Sequence, residues 1–361
     1  MSFILLTKKK KTLAEKFLFV WLCVISVHLT LFAIISAQKY FHFPYLLGLE
    51  IPLPLLHGPF LFLYTISLTT QRSNASKNLL HFIPFILALF SIIPFFSKSS
   101  AEKILVYRNE GEGYALLTTI IFISIIFSGI IYSVLSLRSL MTYKNKIKDN
   151  YSYTERINLQ WLFNLIIGLS CIWIIVFFAD DQYIFTSVVI YVFFVGYFGI
   201  KQVGIFTNQP PVEHPLHLKA KEAPAIPSSQ SEISKYEKSL LTEQQLKNIH
   251  GELILLMKHE KLFLTPELTL SMVAELLNVH PNTVSEVINR AEQKNFFDFI
   301  NTMRVEEFKV RVVNPENQHY TLLSIAHDCG FNSKASFNRN FKNITGISPT
   351  EYLKSIKITL P

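Results

Sequence analysis

The sequence predicts an all-α protein in two unlike halves: six membrane-spanning helices, seven in a fuller chain, followed by a soluble domain of two similar helical units. Three observations carry this expectation. Long apolar runs are confined to the residues before 205. A stretch rich in proline and serine follows them. Beyond it, one segment repeats another at an offset of 52 residues, as in Thr269 and Thr321. The chain therefore divides into a membrane domain over 1–205, a linker over 206–238 and a C-terminal domain over 239–361.

The composition agrees with this division. Of 361 residues, 50% are hydrophobic and 17% charged, against roughly 25% charged in soluble domains. The net charge is +8, yet from residue 241 onward 13 Lys and Arg balance 13 Asp and Glu. The basic excess lies in the apolar half, where it suits loops between spans and says nothing about nucleic acid. The three cysteines, Cys23, Cys171 and Cys329, form no C-x-x-C pair and are read as core thiols. No metal site and no cofactor is expected. Catalytic spacings such as H-E-x-x-H or G-x-x-x-x-G-K do not occur, so no enzyme is expected.

Six apolar stretches approach the ~20 helical residues that a bilayer requires: 17–36, 45–69, 79–96, 114–137, 159–178 and 183–200. Their loops set an orientation. Lys8 to Lys11, Lys16, Arg72, Lys77, Arg138, Lys144, Lys146, Lys148 and Arg156 fall on one side, and Lys39, Lys98, Lys103 and Arg108 on the other. Twelve basic residues against four place the start of the chain and, after an even number of spans, the C-terminal domain in the cytoplasm. The apolar stub Ser2 to Thr7 is too short to span and reads as the end of a further helix. No small-residue cleavage site follows Lys8 to Lys11, so a removed signal peptide is not expected.

Polar groups within apolar spans are costly and often functional. Glu50 and His57 share the second stretch with Pro52, Pro54 and Pro59; His28 lies in the first and Asn164 in the fifth. These four are the candidate sensing residues, and the prolines could open a pocket beside them. The competing reading is that they only join helices through hydrogen bonds. The linker holds Pro210, Pro211, Pro215, Pro224 and Pro227 with Ser228, Ser229 and Ser231, a composition that stays extended.

In the C-terminal domain Leu270, Val273, Ala274 and Leu277 follow the spacing of one helix face, with Thr269 as a cap. Asn278 falls where a turn wants a left-handed backbone, and Pro281 opens a second helix. The second copy repeats this with Leu322, Ile325, Ala326, Cys329, Gly330 and Phe331. One residue later Val284 and Ile288 match Phe337 and Phe341. A connecting helix is expected over 296–313, and Ser348-Pro349-Thr350-Glu351 is a capping box that starts a last helix.

Each copy is thus a helix-turn-helix, whose second helix enters a major groove. Two such helices, rigidly joined, could read successive groove faces of one site. The polar residues expected on those helices are Asn282, Thr283, Ser285, Glu286 and Asn289 in the first and Lys334, Ser336, Asn338 and Arg339 in the second. Arg339 suits guanine edges, and Asn282 or Asn338 suits adenine. Arg290 and Lys342 are placed for phosphates.

The run Ile325-Ala326, Gly330-Phe331, Ser336-Phe337, Arg339, Phe341-Lys342, Gly346, Ser348-Pro349, Tyr352 resembles the signature of AraC-type transcription regulators, over about residues 240–361. Phe297, Ile300-Asn301 and Arg304 fit the same pattern. The resemblance implies sequence-specific promoter binding, with base reading at Lys334, Ser336, Asn338 and Arg339 and at Asn282, Ser285 and Glu286. Two positions depart from it: Glu286 stands where a basic residue is common, and Phe308 where a small one is. The expected function is that of a membrane-anchored transcription regulator of the bacterial inner membrane. Its expected partners are double-stranded promoter DNA, the lipid bilayer, an unidentified small-molecule or membrane signal and a second copy of the chain. The alternative is a transporter or membrane enzyme with an accessory DNA-binding domain.

Overall fold

A computed structural model describes residues 12–70, 78–154, 159–206 and 241–358. Lys8 to Lys11, Arg72, Lys77, Arg156 and the linker from residue 207 lie outside the described residues. The described residues are helical without a strand; an isolated antiparallel bridge joins Tyr151 and Thr269. The chain forms two compact units. The first comprises Met1–Tyr143 and Leu159–Asn208, the second Lys144–Asn158 and Gln209–Pro361.

The first unit begins with α1 (Leu13–Ser36). Thr12 caps it, its hydroxyl accepting from the Glu15 N–H while Glu15 accepts from the Thr12 N–H. There follow α2 (Pro54–Thr69), α3 (Ile83–Ser91), α4 (Ile93–Phe96), α5 (Ser100–Arg108), α6 (Ala115–Asn150), α7 (Gln160–Phe178) and α8 (Asp181–Phe206). Among them α1, α6 and α7 are long and apolar enough to cross a membrane. Large apolar side chains such as Val20, Val27, Ile120, Phe127, Phe177 and Phe193 point outward. In water such a surface would be a liability; in hydrocarbon it costs nothing.

Three of the expected spans differ in extent. The stretch 45–69 is α-helical only from Pro54, because Pro52 and Pro54 cannot donate to a preceding turn. The stretch 79–96 breaks at Ile92, between α3 and α4, two residues before Pro94, whose missing N–H interrupts the ladder. Conversely, α6 continues to Asn150, well past the expected end at 137. Hydropathy marks where apolar surface stops, whereas the polar run after Arg138 still favours helix.

Close helix approach in this unit depends on small residues. Gly129 of α6 lies flat against the Trp173 indole, and Gly58 and Gly168 face Tyr132 and Tyr191. Cys171 is exposed and Cys23 half-buried; neither is the core thiol expected, since each sits on a helix whose outer face is itself apolar.

The second unit contains α9 (Glu243–Glu260), α10 (Leu270–Leu276), α11 (Pro281–Glu292), α12 (Phe296–Val313), α13 (Leu322–Asp328), α14 (Lys334–Thr345) and α15 (Pro349–Ser355). Two apolar cores share α12. Its first turns, Phe296, Phe299 and Ile300, join Val273, Ala274, Val284 and Ile288 under α9. Its later turns, Val305, Phe308 and Val312, join Ile325, Ala326, Cys329, Phe337 and Phe341. Phe308, the bulky departure from the AraC-type pattern, packs 4.6 Å from Phe337 and edge-on to Phe341 at 5.6 Å. Cys329 is a core thiol as expected; burial pushes it up to about 12, leaving it protonated and unreactive at neutral pH.

Candidate nucleic-acid interface

The two halves of the repeat build the same turn. Thr269 and Thr321 cap α10 and α13 through the N–H groups of Met272 and Ser324. After each helix the backbone turns left-handed, at Asn278 with φ 51° and at Gly330 with φ 90°. The Val279 N–H then donates to the Ala274 carbonyl at 3.0 Å, and the Phe331 N–H to the Ala326 carbonyl at 3.2 Å. Both turns are thus closed by the same bond between paired residues. The side chains of His280 and Ser333 cap α11 and α14.

The second helices differ in charge. Within α14, Lys334, Asn338, Arg339 and Lys342 are exposed, and no acidic residue occurs between Lys334 and Thr345. On α11, Asn282, Asn289 and Arg290 are exposed, while Thr283, Ser285 and Glu286 are half-buried. Arg290 is held by Glu286 at 3.1 Å and by Glu243 of α9, and the Asn289 amide donates to Ser285 at 3.4 Å. His250 of α9 meets Glu292 at 2.7 Å. The charged end of α11 is therefore committed to α9. α14 is the more basic of the two faces.

One expected reader is not on a surface. Ser336 is 5% exposed; its N–H donates to the Ser333 capping hydroxyl, and its carbonyl and hydroxyl accept from the buried Asn340 amide. It lies one helical step from Phe337, on the side of the helix that turns inward. The pair Ser336 and Asn340 satisfies itself within α14, so a polar pattern conceals an inward face.

The polar core between the two helix-turn-helices, within the second unit, centres on Arg304, 2% exposed. Its guanidinium donates to the carbonyls of Phe263 and Thr265, both at 2.7 Å, to the Asn301 side chain at 3.3 Å, and to the carbonyl and hydroxyl of Ser152 at 3.2 and 3.1 Å. Five donors in a planar fork are suited to several carbonyls at once. Arg304 thereby ties α12 to the segment that follows α9.

The four candidate sensing residues do not form one site. His57 accepts from the Trp21 indole at 3.2 Å and meets His28 at 3.2 Å, ring stacked on ring. Glu50 lies elsewhere, accepting from the Tyr107 hydroxyl and from the Gly48 N–H at 3.0 Å. Asn164 is exposed and pairs with Gln160 of its own helix. Tyr107 had no signal in hydropathy or spacing, because its partner lies 57 residues away. A cavity of about 290 Å³ adjoins Glu50 and Tyr107, lined also by Ile51, Phe95, Tyr114 and Ile121.

Residues 273–355 match the family model described as a helix-turn-helix domain, the AraC type of that domain. No curated protein and no solved structure matches the chain. The match covers both turns and both second helices, and with the fold around them it supports a DNA-binding transcription regulator.

Proposed function

We infer that the protein is a membrane-anchored, sequence-specific transcription regulator whose membrane domain receives the signal and whose second unit reads promoter DNA. The observation that carries the reading is α14: Lys334, Asn338, Arg339 and Lys342 are exposed on the second helix of a helix-turn-helix, and that helix holds no acidic residue. In this reading α14 lies in a major groove, with Arg339 on guanine and Asn338 on adenine. Lys334 and Lys342 neutralise phosphates. α11 reads more weakly through Asn282, Thr283 and Ser285, because Glu286 and Arg290 neutralise each other and Arg290 is held within the unit rather than on a phosphate.

The membrane part rests on the outward apolar surface, on the six apolar stretches of the sequence, three of which form helices long and apolar enough to cross a membrane, and on the twelve-to-four bias of basic residues, a reading that keeps the second unit on the cytoplasmic side. With that orientation, the cavity beside Glu50 is formed by the outer ends of spans, where an external small molecule can enter. His28 and His57 join α1 to α2, so a change at either helix is felt by the other. Full-length protein, captured with its bound DNA from cells, tests the reading. Recovery of discrete sites from the membrane fraction is the expected outcome; DNA recovered at random overturns it.

A further inference from the structure

The second unit includes a segment from the other half of the sequence. Residues Lys144–Asn158 group with the DNA-binding helices, and the contacts of this segment are specific. Ser152 is 1% exposed. Its N–H and hydroxyl both donate to the Leu268 carbonyl, at 3.1 and 2.8 Å. Its carbonyl accepts from Asn301 at 3.1 Å and from Arg304 at 3.2 Å. Tyr151 pairs with Thr269, the cap of α10. Thr154 accepts from the Arg339 guanidinium at 3.3 Å. Four residues thus run from the first helix-turn-helix, across the connecting helix, to the arginine assigned above to base reading.

Among the described residues of this segment none belongs to either apolar core of the second unit, although Ile147 is buried and the Lys148 ammonium lies 5.8 Å from the Phe297 ring centroid. The attachments of Ser152 and Thr154 are hydrogen bonds, and polar contacts can be exchanged for water at little net cost. If the segment leaves, Arg304 keeps the carbonyls of Phe263 and Thr265 and the Asn301 side chain as partners. The segment is also the direct continuation of α6, whose residues through Tyr143 belong to the first unit. A displacement along that helix therefore reaches Ser152 without passing through the linker.

We propose that residues 151–154 form a releasable strap that holds the second unit in a low-affinity state, engaging Arg339 of the second helix-turn-helix through Thr154 and holding the start of the first helix-turn-helix and the connecting helix through Ser152. DNA and the strap compete for Arg339, so whatever draws α6 away raises DNA affinity. This rests on the assignment of α14 as the reading helix, and the test separates the two claims.

The full chain in detergent, with Cys23 and Cys171 changed to Ala and with Tyr151→Cys and Thr269→Cys, places two thiols at directly paired positions, where a disulfide can form. The probe is a pool of duplexes of about 30 base pairs, long enough for two successive groove faces, selected on the reduced chain. Oxidation should weaken binding about tenfold and reduction restore it. Ser152→Lys, which sets an ammonium against Arg304 and leaves residues 241–361 intact, should tighten binding about tenfold. Equal affinity in both redox states, or tighter binding when locked, overturns the strap while leaving the reading helix in place. A chain that selects no duplex in either state overturns the reading helix and the strap with it.

Discussion

Arg304 and Gly330 share one tight space between the two helix-turn-helix units. A Cβ on Gly330 would stand 3.0 Å from the Arg304 Nε, 2.7 Å from the Phe263 carbonyl oxygen and 2.8 Å from that of Leu264, at a φ of 90°. Backbone conformation and crowding therefore both demand glycine here. Gly330→Ala should destabilise the second unit by about 2 kcal/mol or more, read as a lower unfolding midpoint in urea with faster hydrogen exchange in α13 and α14. The paired turn residue, Asn278, has the same left-handed backbone. Asn278→Gly should be close to neutral, since only the conformational demand applies.

Arg304→Met should cost about 3 kcal/mol, because it leaves the buried carbonyls of Phe263 and Thr265 without their charged donor. Arg304→Lys should recover little, as a single ammonium cannot span acceptors arranged around a planar fork. Chemical unfolding of the two variants side by side measures the difference. Full recovery by lysine would show that charge alone, and not the fork, is required.

Arg339 and Lys342 should fail differently. Arg339→Ala should lose about 1–3 kcal/mol for the preferred sequence and relax base preference at one position. Lys342→Ala should weaken all duplexes alike and reduce the salt dependence of binding by about one unit. Affinity measured over a series of salt concentrations, on preferred and scrambled duplexes, distinguishes base reading from phosphate contact.

Acid should loosen the second unit through Glu307. Burial raises its carboxyl, but hydrogen bonds from Arg311 and Lys261 and their charges outweigh burial and hold it below the usual 4.5. A carboxyl depressed in the folded state contributes stability that is complete above its unfolded value and is lost as pH falls through the folded one. The unit should therefore weaken as pH drops below about 4.5, and Glu307→Gln should flatten that decline. Unfolding midpoints between pH 6 and pH 3 check it.

Much of the second unit is legible because its signals are local. The matched Thr269 and Thr321, the left-handed Asn278 and Gly330, and the bounds of α12 each depend on residues a few positions apart. What was hidden depends on distant partners. Ser336 has the composition of a reader but turns inward to Asn340. Arg290 looks free for phosphate until α9 brings Glu243 beside it. The overrun of α6 and the burial of Ser152 are invisible to hydropathy, because polar residues ended the apolar run and the partners of Ser152, the acceptor Leu268 and the donor Arg304, lie more than 100 positions away. In the membrane half, prolines that mark breaks were present at 52, 54 and 94, but apolar length outweighed them.

In the proposed function α14 reads DNA while the chain remains in the membrane. Genome-wide mapping of DNA crosslinked to the full-length protein, for the native chain and for Arg339→Ala, tests it most directly. The expected result is a limited set of sites sharing one motif, weakened or blurred at one base in the variant. An identical map for the two proteins would contradict base reading by Arg339, and the absence of any enriched site would contradict the assignment as a whole.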